Sequence, residues 1–187
     1  MKIKEVLDKI YQLPELSKVA MIGIISEVEY SKGYCLMHTD KVEQSIYFIK
    51  KGIVRAYTHS SDNEITFWFG KEGDTVVSMR SYVDNQKGYE NIELLEDSTL
   101  YKLNVPALNS LYATDIHIAN WGRKFAEQEL LKTEERLIAR QFKTALERYK
   151  ELMKNNSDLL LRIQLSHIAS YLGITQVSLS RIRAKLK

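Results

Sequence analysis

The chain has 187 residues, 44% hydrophobic and 27% charged, with a formal net charge of +3. These values suit one or two soluble globular domains, and no apolar run approaches the ~20 residues of a membrane span. The single Cys35 cannot close an internal disulfide, nor build an iron–sulfur or zinc site alone.

The opening stretch MKIKEVLDKIYQL mixes acids with its apolar residues. It does not resemble a secretory signal, so a cytoplasmic location is expected. Ile3, Val6, Leu7 and Ile10 have helical spacing and predict a short helix over 2–13, which Pro14 ends. A second helix is expected over 15–25. From 28 to about 105 the texture changes to short β-branched and aromatic runs, punctuated by Gly33, Gly52, Gly70, Gly73 and Gly88. That spacing predicts a β-sandwich or β-roll. Within it, IYFI and IVRAY read as two strands with Lys50-Lys51-Gly52 as a hairpin turn.

After Pro106 the pattern becomes helical. From Ala113 to Lys154 there is no Pro, and the one Gly is Gly122. Ile118, Trp121, Phe125, Leu131, Ile138, Phe142, Ala145 and Tyr149 recur at steps of three, four or seven in all but one interval. A helix of about 25 residues starting at 113 spans about 37 Å, longer than the edge of a small domain. A seam starting at Trp121 and Phe125 therefore predicts pairing with the same helix of a second subunit. Packing on the chain's own β-domain is the alternative. Residues 155–158 read as a loop, and LLLRIQ as a short strand.

Residues 165–186, LSHIASYLGITQVSLSRIRAKL, carry helix-turn-helix spacing. Ala169 is small enough for two helices to approach. Gly173 tolerates positive φ in the turn. Leu172, Leu179 and Ile182 pack the second helix on the first, with Ile168 and Ile174 also apolar. Thr175 suits the N-cap of that second helix. Its outward face then offers Gln176, Val177, Ser180 and Arg181, with Ser178 beside them, to base edges and phosphates. A basic tail of Arg181, Arg183, Lys185 and Lys187 follows. Charge agrees with this placement: residues 1–120 carry a net −4 and residues 121–187 a net +7, the asymmetry of a sensor joined to a polyanion-binding module.

In that order, the segments IYFIKKGIVRAY and FGKEGDTV, the long helix, and IASYLGITQVSLSRIRAKL resemble the cyclic-AMP receptor protein and fumarate–nitrate regulator (Crp/Fnr) family of bacterial transcription factors. The resemblance covers nearly the whole chain. It implies an α+β fold: a cyclic-nucleotide-binding-like β-roll over 1–112, a dimerisation helix over 113–138, and a C-terminal helix-turn-helix (winged-helix-like) domain over 139–187. It also implies a homodimer that places two recognition helices in successive major grooves, about 34 Å apart. Implied partners are double-stranded DNA, RNA polymerase and a small-molecule effector, with no membrane.

The chain departs from the family at the effector pocket. Nucleotide-binding members place a Glu for the ribose hydroxyl in the segment after Gly-Asp, and a downstream Arg-Ser or Arg-Thr pair holds the cyclic phosphate. Here GDTVVSMRSY puts Ser78 at the Glu position, and NQKGYEN lacks the pair. Arg80 and Lys87 are the remaining cations, and neither reproduces a buried bidentate fork. The effector is therefore expected not to be a standard cyclic nucleotide. A haem would draw axial ligands from Cys35, Met37, His38, His59 or His117, but a lone Cys beside strand texture is ordinarily a small buried hydrophobe, and no cofactor is expected. Many relatives continue into a β-hairpin wing, and here the recognition helix is followed directly by Lys187. Arg and Glu lead the recognition helix in the best-known members; Gln176 and Val177 hold those slots here, suited to adenine and a thymine methyl. The alternative function is a small-molecule sensor or interaction module without DNA binding, which salt-dependent duplex binding would separate. No catalytic constellation is present in the sequence, so an enzyme is not expected.

Overall fold

A computed structural model of the chain describes residues 2–60 and 63–186. It opens with helices α1 (Ile3–Ile10) and α2 (Glu15–Gly23). Strands β1 (Ile25–Tyr30), β2 (Cys35–Met37), β3 (Ser45–Lys51), β4 (Val54–Ser60), β5 (Asn63–Gly70) and β6 (Thr75–Val76) follow. Helix α3 (Met79–Asp84) precedes β7 (Asn91–Leu94) and β8 (Ser98–Asn104). The remainder is helical: α4 (Val105–Thr114), α5 (Ile116–Phe142), α6 (Ala145–Asn155), α7 (Ser157–Arg162), α8 (Leu165–Leu172) and α9 (Gln176–Lys185).

The strands form two four-stranded sheets, ordered β1-β8-β3-β6 and β2-β7-β4-β5. This is the β-roll that the alternation of strand runs and glycines predicts. One detail differs. Lys50-Lys51-Gly52 is not a hairpin turn, because β3 and β4 lie in different sheets. Both edges of β3 are already taken, by β8 and β6, and Ile46 to Ile49 are all buried. The chain crosses to the other sheet at Gly52, where φ is 123°. A Cβ there would run into the Ser98 side chain, so a glycine is required on two counts.

By compactness the chain divides into Met1–Arg55 with Gly70–Leu131, and Ala56–Phe69 with Lys132–Lys187. In the first unit α1, β3, β8, α4 and the front half of α5 close over one core, built from Val6, Leu7, Phe48, Leu103, Leu108, Ile118, Trp121 and Phe125. In the second, Tyr149, Leu152, Leu159, Ile163, Ile168, Ala169, Leu172 and Leu179 are buried.

The core corrects the reading of Trp121 and Phe125 as a subunit seam. Trp121 is 0% and Phe125 1% exposed within the single chain. The Trp121 indole Nε1 donates to the Leu7 carbonyl at 3.1 Å. Its ring stacks on Phe125 with centroids 5.6 Å apart and meets the Phe48 ring edge-on. The packing alternative holds because an apolar stripe on a helix does not say which surface covers it. The opposite face of α5 carries Leu130, Leu131, Leu137, Ile138 and Phe142, all exposed.

Three helix boundaries also differ from expectation. The long helix begins at Ile116, after a break at Asp115, whose Oδ1 accepts from the N–H of His117 and of Ile118. It ends at Phe142, and Thr144 opens α6 with a capping box closed by Glu147. The LLLRIQ stretch is helical through Arg162 rather than a strand. Its buried residues, Leu159 and Ile163, stand one helical turn apart, and a short apolar run cannot distinguish the two forms by periodicity.

Candidate nucleic-acid interface and sensor pocket

Local chemistry builds the helix-turn-helix as its sequence predicts. Helix α8 ends at Gly173, which takes φ 67° and ψ 34°. The N–H of Gly173 bonds the Ser170 carbonyl, and the N–H of Ile174 bonds Ala169, each at 3.0 Å. This is a Schellman closure, satisfying carbonyls that a helix end otherwise leaves open. Two residues on, the Thr175 hydroxyl accepts from the Ser178 N–H at 3.2 Å and caps α9. Leu179 is 1% exposed and Ile182 half-buried, holding α9 on α8, whose Ala169 is buried at the crossing.

Gln176, Val177, Ser180, Arg181, Arg183 and Lys185 are then all exposed. They form one polar and basic face with a single apolar member. Ser178 departs from this set: it is half-buried, and its hydroxyl lies 3.0 Å from that of Thr175. Its first role is in the cap. Lys187, expected in the basic tail, lies outside the described residues.

Sequence reasoning missed Arg148. Its guanidinium donates to the carbonyls of Lys143 and Leu172, both at 2.6 Å, and to that of Arg140 at 3.3 Å. These carbonyls belong to the C-terminal ends of α5 and α8, where a cation is electrostatically favoured. Nothing in the local sequence marks Arg148, because all three of these partner groups are backbone atoms brought together by folding.

The candidate sensor residues do not converge. Ser78 is 3% exposed and precedes α3, and its Oγ has no hydrogen-bond partner among the described residues. A Cβ on Gly88 would press on that Oγ and on Glu90. Arg80, by contrast, is exposed, with its guanidinium 4.8 Å from the centroid of the Tyr89 ring, a cation–π contact. Lys87 is exposed as well. A buried cation does exist in the roll: Arg55, 2% exposed, bonds Glu93 at 2.7 Å. Its charge is thereby already matched.

Tyr82 links α3 to the helices behind it. Its hydroxyl lies 2.9 Å from that of Tyr112, and its ring meets Phe125 edge-on. Gly122 makes room, since a Cβ there would strike the Tyr112 ring. Burial pushes both phenols above the usual tyrosine range, so both stay protonated and act as a neutral hydrogen-bonded pair.

Of the haem-ligand candidates, Cys35, Met37 and His38 lie together. The Cys35 thiol donates to the Met37 carbonyl at 3.1 Å and lies 3.5 Å from His38 Nδ1. Burial raises its pKa, which disfavours the thiolate that a metal needs. Met37 is 1% exposed. Among the described residues no cluster of three His, Cys, Asp or Glu could hold a metal, and no helix is long and apolar enough to cross a membrane.

Residues 27–115 match the family model described as the cyclic nucleotide-binding domain. No curated protein matches the chain. Among solved structures the chain is similar to FixK2 from Bradyrhizobium japonicum, with TM-score 0.74 and 21% identity, covering 87% of this chain and 84% of that one. It is similar to a CooA variant from Carboxydothermus hydrogenoformans, with TM-score 0.66, 22% identity and coverage of 99% and 84%. For the catabolite activator protein of Thermus thermophilus the values are 0.59, 19%, 97% and 86%. The resemblance read from the sequence thus holds at the level of the fold. A β-roll is followed by a long helix and a terminal helix-turn-helix, as in these proteins.

Proposed function

We infer that the chain is a DNA-binding transcription regulator of the Crp/Fnr type, working as a homodimer, with a β-roll sensor whose effector is not a standard cyclic nucleotide. One observation carries the DNA reading. The Gly173 closure and the Thr175 cap present Gln176, Val177, Ser180 and Arg181 together on the open face of α9. In the major groove, Gln176 suits adenine, Val177 a thymine methyl and Arg181 guanine or a phosphate. Lys185, in the last turn, suits a phosphate. In functional terms residues 1–112 form the sensor, the long helix around 113–138 the subunit contact, and residues 139–187 the DNA-binding part. RNA polymerase is the further partner that such a regulator engages, and the cytoplasm is where it works.

The test is selection from random duplexes, followed by titration on the preferred site. Gln176→Ala is expected to cost about 1–3 kcal/mol there and to relax preference at one base pair. Lys185→Ala is expected to weaken all duplexes alike and to flatten the salt dependence, because phosphate contacts carry no sequence information. Absence of any sequence preference in the selected pool, with and without candidate effectors, would refute the assignment of α9.

The sensor gives a separate prediction. Cyclic AMP should show no micromolar or tighter site in titration calorimetry. Ser78 stands where a carboxylate would meet the ribose, Arg80 is stacked on Tyr89, and Arg55 is paired with Glu93. A cyclic phosphate brought into the roll would find no unmatched buried cation among these groups, and an unpaired buried charge is strongly unfavourable. A tight calorimetric site would overturn this.

A further inference from the structure

The Ser78 hydroxyl is unused where it stands. Ser78 is the N-cap of α3, a position from which serine ordinarily accepts a backbone N–H of the helix. It makes no such bond, and its buried Oγ has no other partner among the described residues. It is turned instead toward Gly88 and Glu90. A Cβ placed on Gly88 would lie 2.5 Å from Ser78 Oγ and 3.0 Å from Glu90 Oε1. Two oxygens that close to one point can be bridged by a single donor atom. A buried hydroxyl without a partner is costly, so a group that donates to it gains more than it would from water.

Glu90 supplies a charge beside that hydroxyl. It is half-buried, and its Oε2 accepts from the Tyr89 N–H at 2.9 Å. No ion pair to it is formed among the described residues. The cations closest in sequence, Arg80 and Lys87, are exposed, and Arg80 lies over the Tyr89 ring. The point between Ser78 and Glu90 is therefore rich in acceptors and negative. It repels a phosphate and favours a positively charged donor, whose hydrogen bonds to a carboxylate are roughly twice as strong as neutral ones.

Gly88 covers both oxygens. It belongs to a turn whose Asn85, Gln86, Lys87 and Tyr89 are all exposed. The Ser81 hydroxyl ties the turn to α3 by donating to the Gln86 carbonyl at 2.8 Å. With so little of the turn buried, lifting it exposes little apolar surface.

We propose that Ser78 and Glu90 form the recognition point for an effector bearing a primary ammonium group, admitted when the turn over residues 85–90 lifts. The proposal rests on the reading of the roll as a sensor, and it gives the effector a charge opposite to that of a cyclic nucleotide. The ammonium donates to Ser78 Oγ and to Glu90 Oε1, satisfying the one and neutralising the other.

The experiment titrates the whole chain with butylammonium chloride and follows its amide resonances. Butyrate, butanol and inorganic phosphate serve as controls at equal ionic strength. Butylammonium should shift the amides of residues 78, 88 and 90 saturably, with a midpoint on the order of 1 mM for so small a ligand. The three controls should not. Glu90→Gln should raise the midpoint by about tenfold or more. Ser78→Ala should also weaken binding, yet melt no lower than wild type, since it removes an unpaired hydroxyl. A lower melting temperature in Ser78→Ala would show that the hydroxyl is already used and would overturn the site. So would an unchanged midpoint in Glu90→Gln, or no saturable shift with butylammonium. Saturable shifts of the same amides with phosphate would make this an anion site, with Arg80 or Lys87 turned inward, and would also overturn the proposal. A tight cyclic AMP site would instead overturn the sensor reading on which it rests. No DNA enters these measurements, so the assignment of α9 stands or falls separately.

Discussion

Trp121→Ala is expected to lower stability by about 3–5 kcal/mol, the range for emptying a large buried aromatic site. The side chain is fully buried, stacks on Phe125 and meets Phe48 edge-on. Those neighbours belong to the same packed core and can close the void only in part. Trp121→Phe should cost much less. It keeps a ring in the stack, and the Leu7 carbonyl that loses the indole N–H still accepts from Tyr11 N–H at 3.1 Å. Urea denaturation followed by circular dichroism would measure both, with an unchanged slope marking loss of stability rather than loss of compactness. If Trp121 instead served a subunit seam, Ala would leave the monomer's midpoint in place and shift only the concentration dependence of association. That result would overturn the core assignment.

The second large effect lies on the other face of the same helix. Leu130 and Leu137 are seven residues apart, as are Leu131 and Ile138, with Phe142 one turn further on. All are roughly half exposed or more, Leu137 at 63% and Ile138 at 48%. A heptad spacing on a straight helix is the pattern that pairs two copies, and each such side chain gains about 1.5–3 kcal/mol when fully buried. If the homodimer proposed above pairs through this face, the double substitution Leu137→Glu with Ile138→Glu should weaken it by at least about a hundredfold, since it removes that burial and sets like charges against their symmetry mates. The monomer fold should persist, because exposed substitutions rarely move stability by more than about 0.5 kcal/mol. Sedimentation velocity over a concentration series reads the first, and thermal melting the second. An unchanged dimer would move the subunit contact away from this face. The corresponding loss of operator affinity should exceed that of Gln176→Ala, because a separated monomer forfeits the second half-site altogether.

Much of the helix-turn-helix was legible because its determinants are local. Gly173 admits a left-handed residue, Thr175 caps from its own side chain, and Leu179 one turn later turns inward; each depends on neighbours within a few residues. The breaks at Asp115 and Thr144 are local too. Their signals were present, an Asp before two free N–H groups and a T-x-x-E capping box, but an uninterrupted apolar periodicity across both masked them. Ser78, Arg80 and Lys87 were singled out by position in a motif, and only folding showed one turned inward and two outward.

By itself, then, the sequence determined the β-roll texture, the long helix and the turn that directs α9, since propensity, periodicity and capping act over one or two turns of chain. The tertiary structure alone decided which stripe of α5 is core and which is free, because apolar burial is non-directional and a stripe does not specify the surface that covers it. It also decided that the chain crosses sheets at Gly52, since that depends on β8 and β6 having taken both edges of β3. The contact between Ser170 and Thr66 was likewise beyond reading, since the two stand 104 residues apart, and Arg148 bonds backbone carbonyls, which every residue carries and no sequence pattern can mark.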